Sequence, residues 1–167
     1  MIESLPAHSK EYTSRSIEEI YECHYDMIYR VSFSYLKNSE DTKDIISEVF
    51  LKLMQKKIEF KNAEHEKAWL LRTTINLCKD YLKSWRRKTL NIDDYTNSES
   101  ENLFQEDETL KAVIELPDRY RDVVYLHYYE GYTTEEIAKM LKKPHSTVRY
   151  HLQEARKFLK GVLENEK

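Results

Sequence analysis

Cationic and amide side chains recur at helical spacing in two segments of the chain. The first set steps by three or four residues and consists of Arg72, Asn76, Lys79, Lys83 and Arg86, here called the cationic row. The second follows Pro144 and consists of Ser146, Arg149, Tyr150, Gln153 and Lys157, here called the reading face. Lys and Arg bind nucleic-acid phosphates, while Arg, Asn and Gln can also form hydrogen bonds with base edges. These residue types at this spacing therefore indicate non-covalent binding of nucleic acid.

Residues suited to catalysis or to metal binding show no comparable order. Two Gly are too few for a phosphate-cradling loop, and the six His and two Cys fit no metal-ligand spacing. We therefore predict no catalytic residue, no metal, no other cofactor and no disulfide, and we interpret Cys23 and Cys78 as small buried apolar residues. An enzyme is the weakest interpretation of this sequence.

The elements that position these side chains are predicted to be helices. The 167 residues contain two Gly and three Pro, too few for the turns of a β-sandwich or barrel, so we expect an all-helical protein of two small domains. No stretch approaches the roughly 18 to 20 apolar residues of a membrane span, and the first residues lack a signal-peptide core. We therefore expect a cytoplasmic protein.

Charge is segregated along the chain although the net charge is only -3. Residues 67–88 and 134–160 each contain seven basic residues, against one and three acidic ones, whereas residues 91–108 contain seven acidic residues and no basic one. The acidic stretch lacks an apolar repeat and is interpreted as a flexible linker. The predicted organisation is an N-terminal tail (1–15), a first domain (16–90), the linker (91–108) and a second domain (109–163). A charge run is usually a solvated face, but two basic blocks on patterned helices favour binding.

Three helices are predicted in the first domain. Ser16 and Glu19 form a capping-box pattern at the start of a helix that should end near Leu36. The second helix has a stripe predicted to be buried, formed by Ile45, Ile46, Val49, Phe50, Leu53 and Met54. Its other side carries Asp41, Asp44 and Glu48, here called the acidic ridge, which is either a solubility feature or a docking surface. The third helix, from about Glu64 to Arg87, sets the cationic row beside an apolar row of Leu71, Ile75, Cys78, Leu82 and Trp85.

The second domain has the pattern of a helix-turn-helix. A helix from about Asp118 to Tyr129 should end at Gly131, and Thr133 or Thr134 should cap a short helix that ends at Leu141. A turn at Pro144 then leads into a helix over about 146–160, whose outward side is the reading face. Such a face can enter a major groove. A helical hairpin with a solvated outer face is the alternative.

Three segments together resemble bacterial RNA polymerase sigma factors of the extracytoplasmic-function type. They are DTKDIISEVFLKL and WLLRTTINLCKDYL in the first domain and TTEEIAKMLKKPHSTVR in the second. The resemblance covers about residues 17–88 and 109–160 and implies a protein that binds core RNA polymerase, directs it to promoter DNA and helps to open the minus-ten region. It leaves room for an anti-sigma factor as a further partner. The acidic linker would thread through the RNA channel of the polymerase.

The resemblance also assigns roles to residues. The helix with Asp41, Asp44, Glu48 and Phe50 would dock on the polymerase clamp. Minus-ten DNA would lie along Arg72, Asn76, Lys79 and Lys83, and a flipped base would be held by the loop 60–65, with Phe60, Lys61 and Asn62. The minus-thirty-five element would be faced by Ser146, Arg149, Tyr150, His151, Gln153, Glu154 and Lys157.

The chain departs from the family pattern at the turn, where Lys142 and Ser146 stand in positions that are often Gly, and at Tyr150 and His151. The resemblance therefore does not specify the promoter sequence that the chain prefers. Two other interpretations stay open at this point. One is a helix-turn-helix regulator that binds DNA without polymerase, and the other is a sigma-like adaptor that does not bind promoter DNA.

Overall fold

A computed structural model describes residues 14–88 and 108–165, and within these ranges every regular element is a helix. The elements in chain order are α1 (Ile17–Leu36), α2 (Ser39–Lys56), α3 (Ala63–Lys88), α4 (Glu108–Glu115), α5 (Asp118–Val124), a π-helical turn (Tyr125–Tyr129), α6 (Thr134–Leu141) and α7 (His145–Asn165). The all-helical prediction is confirmed over these residues. The predicted tail, apart from residues 14 and 15, and the predicted acidic linker, apart from Glu108, lie outside them.

Helix starts follow the capping residues in the sequence. The Ser16 hydroxyl accepts a hydrogen bond from the backbone N–H of Glu19 at 3.2 Å, and Thr133 and Glu136 form a complete capping box at the start of α6. Asn38 caps α2 by accepting from the N–H groups of Glu40 and Asp41, a cap that sequence reasoning missed. These bonds satisfy donors that would otherwise lack partners at the first turn, and so they fix where each helix begins.

Three helices end at a lysine in the left-handed conformation. Lys37, Lys57 and Lys142 have φ values of 52°, 46° and 53°. This conformation costs a residue with a Cβ roughly 1 to 2 kcal/mol. The backbone N–H of Lys142 donates to the carbonyls of Ala138 and Lys139, so this lysine closes α6 and begins the turn to α7. The turn of the helix-turn-helix therefore forms without the glycine that the family pattern leads one to expect.

Helices α1, α2 and α3 pack into the first module. Its fully buried side chains include Ile28, Val49, Leu70, Leu71 and Cys78. Burial raises the pKa of the Cys78 thiol to about 12, so it stays neutral at physiological pH. The prediction that Met54 is buried is wrong, because its side chain is 45% exposed. The prediction for Cys23 is also wrong, because this cysteine is exposed.

One acidic side chain is completely enclosed in this module. Glu66, on α3, accepts at 2.7 Å from Nε2 of His24 on α1, with the Arg15 guanidinium 3.5 Å away. A buried carboxylate of this kind requires such partners. The cluster ties the start of α3 to α1.

Helices α4 to α7 form the second module, and its core is formed by Val113, Val123, Leu126, Ile137 and Val148. Gly131 has a φ of 74°, which suits the reversal of the chain after the π-helical turn. The modules touch each other, since α3 contacts α6 and polar side chains of α5 reach α1 and α3. Within 14–88 and 108–165, no helix is both long enough and apolar enough to cross a membrane.

Candidate nucleic-acid and polymerase interfaces

The reading face lies on the exposed side of α7. Ser146, Arg149, Gln153 and Lys157 are all exposed, and Tyr150 is 57% exposed. The opposite side of α7 is held in place by Val148 and Leu152, which are buried against the rest of the module. The turn is further tied by a hydrogen bond of 2.8 Å between Thr134 Oγ1 and His145 Nε2. The helix-turn-helix thus presents a face of exposed polar side chains together with the ring of Tyr150.

Two side chains assigned to the minus-thirty-five element, those of His151 and Glu154, are partly buried and contact other side chains of the protein. His151 is half-buried with its ring 5.5 Å from that of Tyr120, and burial lowers the pKa of this imidazole. It therefore faces α5 and not the outer surface, because its position on α7 is turned away from Arg149. Glu154 is partly buried and accepts from the Lys157 ammonium at 2.9 Å. Hydrogen bonding to Glu154 raises the pKa of Lys157.

A cleft of about 810 Å³ borders the reading face, and its walls include residues that sequence reasoning missed. Arg156 donates from Nε to the Tyr128 hydroxyl at 2.7 Å, and its guanidinium lies over the Tyr128 ring. Tyr128 comes from the π-helical turn, where the Glu130 N–H bonds to the Tyr125 carbonyl. Arg156 follows Arg149 by two helical turns, and this spacing was the signal that could have identified it.

The cationic row is largely exposed along α3. Arg72, Asn76 and Lys83 are exposed, whereas the Lys79 ammonium is partly covered and lies 2.9 Å from Oδ2 of Asp122 on α5. The side chain of Arg86 lies outside the described part of the chain. The row therefore offers at least two open cations and one amide on a single helix face, a pattern suited to successive phosphates.

The loop before α3 contains a small aromatic cluster. The half-buried Phe60 ring lies 5.4 Å from that of His65 and 5.9 Å from that of Trp69. Asn62 is exposed and accepts from the His65 N–H at 2.7 Å, so its side chain helps to begin α3. Lys61 is exposed, and its N–H donates to His65 Nδ1 at 3.1 Å. The arrangement offers ring faces on which a nucleobase could stack.

The acidic ridge is exposed at Asp44 and Glu48 and half-buried at Asp41. Phe50 does not share this surface, because it is only 6% exposed and its ring lies 4.9 Å from that of Tyr21. Leu51 continues the ridge at helical spacing and is 49% exposed, with the exposed Met54 beside it. The surface is therefore a carboxylate ridge extended by apolar side chains. Sequence reasoning missed this extension because leucine and methionine fit a core stripe equally well.

A helix-turn-helix together with an exposed cationic helix face, in two helical modules, is typical of a protein that binds DNA. Residues 20–88 match Sigma-70 region 2, and residues 106–159 match Sigma-70, region 4. The chain therefore belongs to the sigma-70 family and is an alternative sigma factor of the extracytoplasmic-function type, which directs RNA polymerase to particular promoters.

Relatives of known sequence agree with this assignment, and a solved structure shares the fold. The RNA polymerase sigma factor SigV of Bacillus subtilis (strain 168) is 29% identical over 147 residues, which span 86% of this chain and 88% of SigV. The ECF RNA polymerase sigma factor SigM of the same organism is 26% identical over 157 residues, which span 88% of this chain and 94% of SigM. The fold is similar to that of the sigma factor RpoE from Bartonella quintana, solved with the anti-sigma factor NepR. The TM-score is 0.67 at 15% identity, covering 90% of this chain and 98% of RpoE.

Proposed function

We propose that the chain acts through four surface regions as a promoter-specificity subunit of RNA polymerase. The acidic ridge, with Leu51, docks on the polymerase. The cationic row holds minus-ten DNA, and the aromatic cluster around Phe60 receives an unpaired base. The reading face binds the minus-thirty-five element. The observation that carries this proposal is the exposed cationic face of α3 in a chain that also presents a helix-turn-helix.

Such a subunit supplies binding and positioning, and the polymerase supplies the chemistry, so we propose that the chain is not itself an enzyme. It would act in the cytoplasm, where it would meet core polymerase and promoter DNA. An anti-sigma factor is a further proposed partner. This last proposal is supported by the similarity in fold to RpoE, which was solved bound to NepR.

Reconstitution with core polymerase and a library of promoter fragments tests the proposal. We expect transcription from a restricted set of promoters that depends on the chain. Sequence-specific DNA binding without polymerase would instead indicate an independent helix-turn-helix regulator. Binding to polymerase without any selection of promoters would indicate an adaptor.

Replacing two exposed members of the cationic row, Arg72→Ala and Lys83→Ala, is expected to impair promoter opening and to reduce the salt dependence of DNA binding. Each lost phosphate contact should lower the slope of log affinity against log salt by about 0.7 to 0.9, because fewer counterions are released. The measurement is holoenzyme binding and opening over a range of salt concentrations. Lys56→Ala with Lys57→Ala provides a matched control at two exposed lysines near the end of α2. We expect this control to keep the parent slope. If Arg72→Ala with Lys83→Ala keeps it as well, the row is only a solvated face.

On the reading face, Arg149→Ala is expected to relax preference at one or two upstream base pairs. An arginine with two hydrogen bonds to guanine discriminates against other bases by roughly 1 to 3 kcal/mol. Lys157→Ala should instead weaken all sequences about equally, because Lys157 lies two helical turns beyond Arg149 on α7, where we expect a contact with phosphate and not with a base edge. Binding of each holoenzyme to a library of single-base variants separates the two effects. A uniform loss for Arg149→Ala would show that this residue supplies only electrostatic attachment.

A further inference from the structure

Arg156 is an exposed cation at the edge of the reading face, and a second element of the module fixes its position. It follows Arg149 by seven residues and Gln153 by three on α7, so the three side chains share one side of that helix. All three also line the cleft of about 810 Å³. Within residues 14–88 and 108–165 no carboxylate pairs with Arg156, so its full charge is available to an external anion.

Tyr128 holds the Arg156 side chain in place. The Tyr128 hydroxyl accepts from Nε of Arg156 at 2.7 Å, and the guanidinium carbon lies 5.8 Å from the centre of the Tyr128 ring. A hydroxyl orients a guanidinium without cancelling its charge. Because this bond uses Nε, the N–H donors of the two terminal nitrogens remain as a fork that matches two oxygens of a phosphate. The pair is therefore arranged to bind such an anion.

Tyr128 is itself supported by the π-helical turn. His127, just before it, donates from Nδ1 to the Tyr132 carbonyl at 2.8 Å, and the His127 ring lies edge-on to the Tyr128 ring at 4.9 Å. After it, the Glu130 N–H bonds to the Tyr125 carbonyl at 3.3 Å, the bond that makes this turn π-helical. Such turns are rare and occur frequently at functional sites. The exposed phenol is thus held by contacts on both sides of it in the chain.

The place of Arg156 on α7 favours a phosphate over a base edge as its ligand. In a helix-turn-helix the first residues of the recognition helix contact base edges, whereas phosphate contacts fix the position of the protein on the duplex. Arg156 lies about three helical turns beyond the start of α7. It is also bonded to Tyr128, which belongs to a different element and lies outside the recognition helix.

We propose that Arg156, positioned by Tyr128, binds one phosphate of the minus-thirty-five DNA and so fixes where the reading face lies along the duplex. This role rests on the proposed minus-thirty-five function of the reading face. It adds a ligand, a single DNA phosphate, and a positioning residue, Tyr128, that acts through Arg156. Holding the guanidinium before DNA arrives reduces the loss of side-chain entropy on binding.

Uncharged phosphate analogues identify the ligand. Duplexes that contain the minus-thirty-five element, each with one methylphosphonate at a successive position, are titrated with holoenzyme. At one position we expect the analogue to weaken binding of the parent by about tenfold, because a hydrogen bond between two charged groups is lost. The same analogue should weaken Arg156→Ala by less than about twofold, since the contact is already absent. Equal losses in the two proteins at every position would overturn the assignment of Arg156 to a phosphate.

Variants of Arg156 separate its charge from its shape. Arg156→Ala should weaken every base variant of the element by the same factor and lower the slope of log affinity against log salt by about 0.9. Arg156→Lys keeps the charge but lacks the planar fork, so it should keep the slope and bind more weakly than the parent. Lys111→Ala removes a charge from an exposed site on α4 outside the cleft and should keep both slope and affinity. A loss confined to particular bases would show that Arg156 reads a base edge, and would overturn the proposal.

The positioning role of Tyr128 is tested by Tyr128→Phe, which removes only the hydroxyl. Binding should weaken by about threefold with the parent salt slope, because the phosphate contact remains but the guanidinium is no longer held beforehand. In the Arg156→Ala background the same change should have no further effect, as expected of a residue that acts through another. An equal loss with and without Arg156 would mean that Tyr128 acts only on the fold, and its positioning role would be withdrawn.

The outcomes distinguish this proposal from the proposed function. A parent holoenzyme that does not select the minus-thirty-five element would overturn the role of the reading face and the role of Arg156 together. A parent that selects the element while Arg156→Ala binds as tightly would overturn the role of Arg156 alone. The base preference assigned to Arg149 is measured independently on the same library.

Discussion

Reversing the charge of the acidic ridge, with Asp44→Lys and Glu48→Lys together, is expected to lower the affinity for core RNA polymerase by about 30-fold or more, since like charges brought together at an interface cost several kcal/mol. Both side chains are exposed, so the fold should be retained. The affinity is measured by titration of labelled protein with core polymerase. Loss of binding should abolish transcription in the reconstituted system.

A matched control is available on the neighbouring helix. Glu18 and Glu22 lie on α1 at the same spacing and are also exposed. Glu18→Lys with Glu22→Lys makes the same change in net charge but leaves the ridge intact, so polymerase binding should stay near that of the parent. Equal losses for the two double variants would mean that polymerase senses only overall charge, and the docking assignment of the ridge would be withdrawn.

Leu71→Ala should reduce the free energy of unfolding by about 2 to 5 kcal/mol, because truncation of an enclosed leucine loses apolar burial and leaves a cavity. Leu71 is 0% exposed and directly precedes Arg72, so its packing supports the face that carries the cationic row. Leu51→Ala makes the same truncation on the exposed surface of α2 and should change stability by no more than about 0.5 kcal/mol. Denaturant unfolding of the full chain measures both.

The two leucine variants also differ in their effects on function. Leu51→Ala should weaken polymerase binding without a loss of stability if Leu51 belongs to the docking surface. Leu71→Ala should affect every activity in proportion to the unfolded fraction. A loss of stability for Leu71→Ala as small as the one expected for Leu51→Ala would contradict the placement of Leu71 in the core.

Much of the fold could be predicted because helices carry local signals. The apolar repeat around Leu71 and Ile75 and the cap at Thr133 depend only on residues a few positions apart. Periodicity identifies a face but not what covers it. It therefore placed Met54 inside, and it could not show that Phe50 lies against Tyr21 while Leu51 remains exposed.

The contacts between the modules could not be predicted for the same reason. Nothing near Asp122 in the sequence indicates that its partner is Lys79, since that pairing depends on how two distant helices pack. His151 illustrates the limit on a smaller scale. The family motif placed it with Arg149, whereas the structure turns it toward Tyr120. The docking, minus-ten and minus-thirty-five roles remain predictions that the experiments above address.

The π-helical turn affects how positions in this chain correspond to those in relatives. Each bond from residue i to i+5 closes around one residue more than an α-helical bond, and one residue represents about 100° of rotation. In a relative whose α-helix is uninterrupted here, the residues aligned with Tyr128 and with the positions after it would point in other directions. A one-residue gap in the alignment within 125–129 restores the correspondence. Roles transferred across this segment should therefore follow the hydrogen-bond register of Tyr125 and Glu130, and not the identity of the aligned letters.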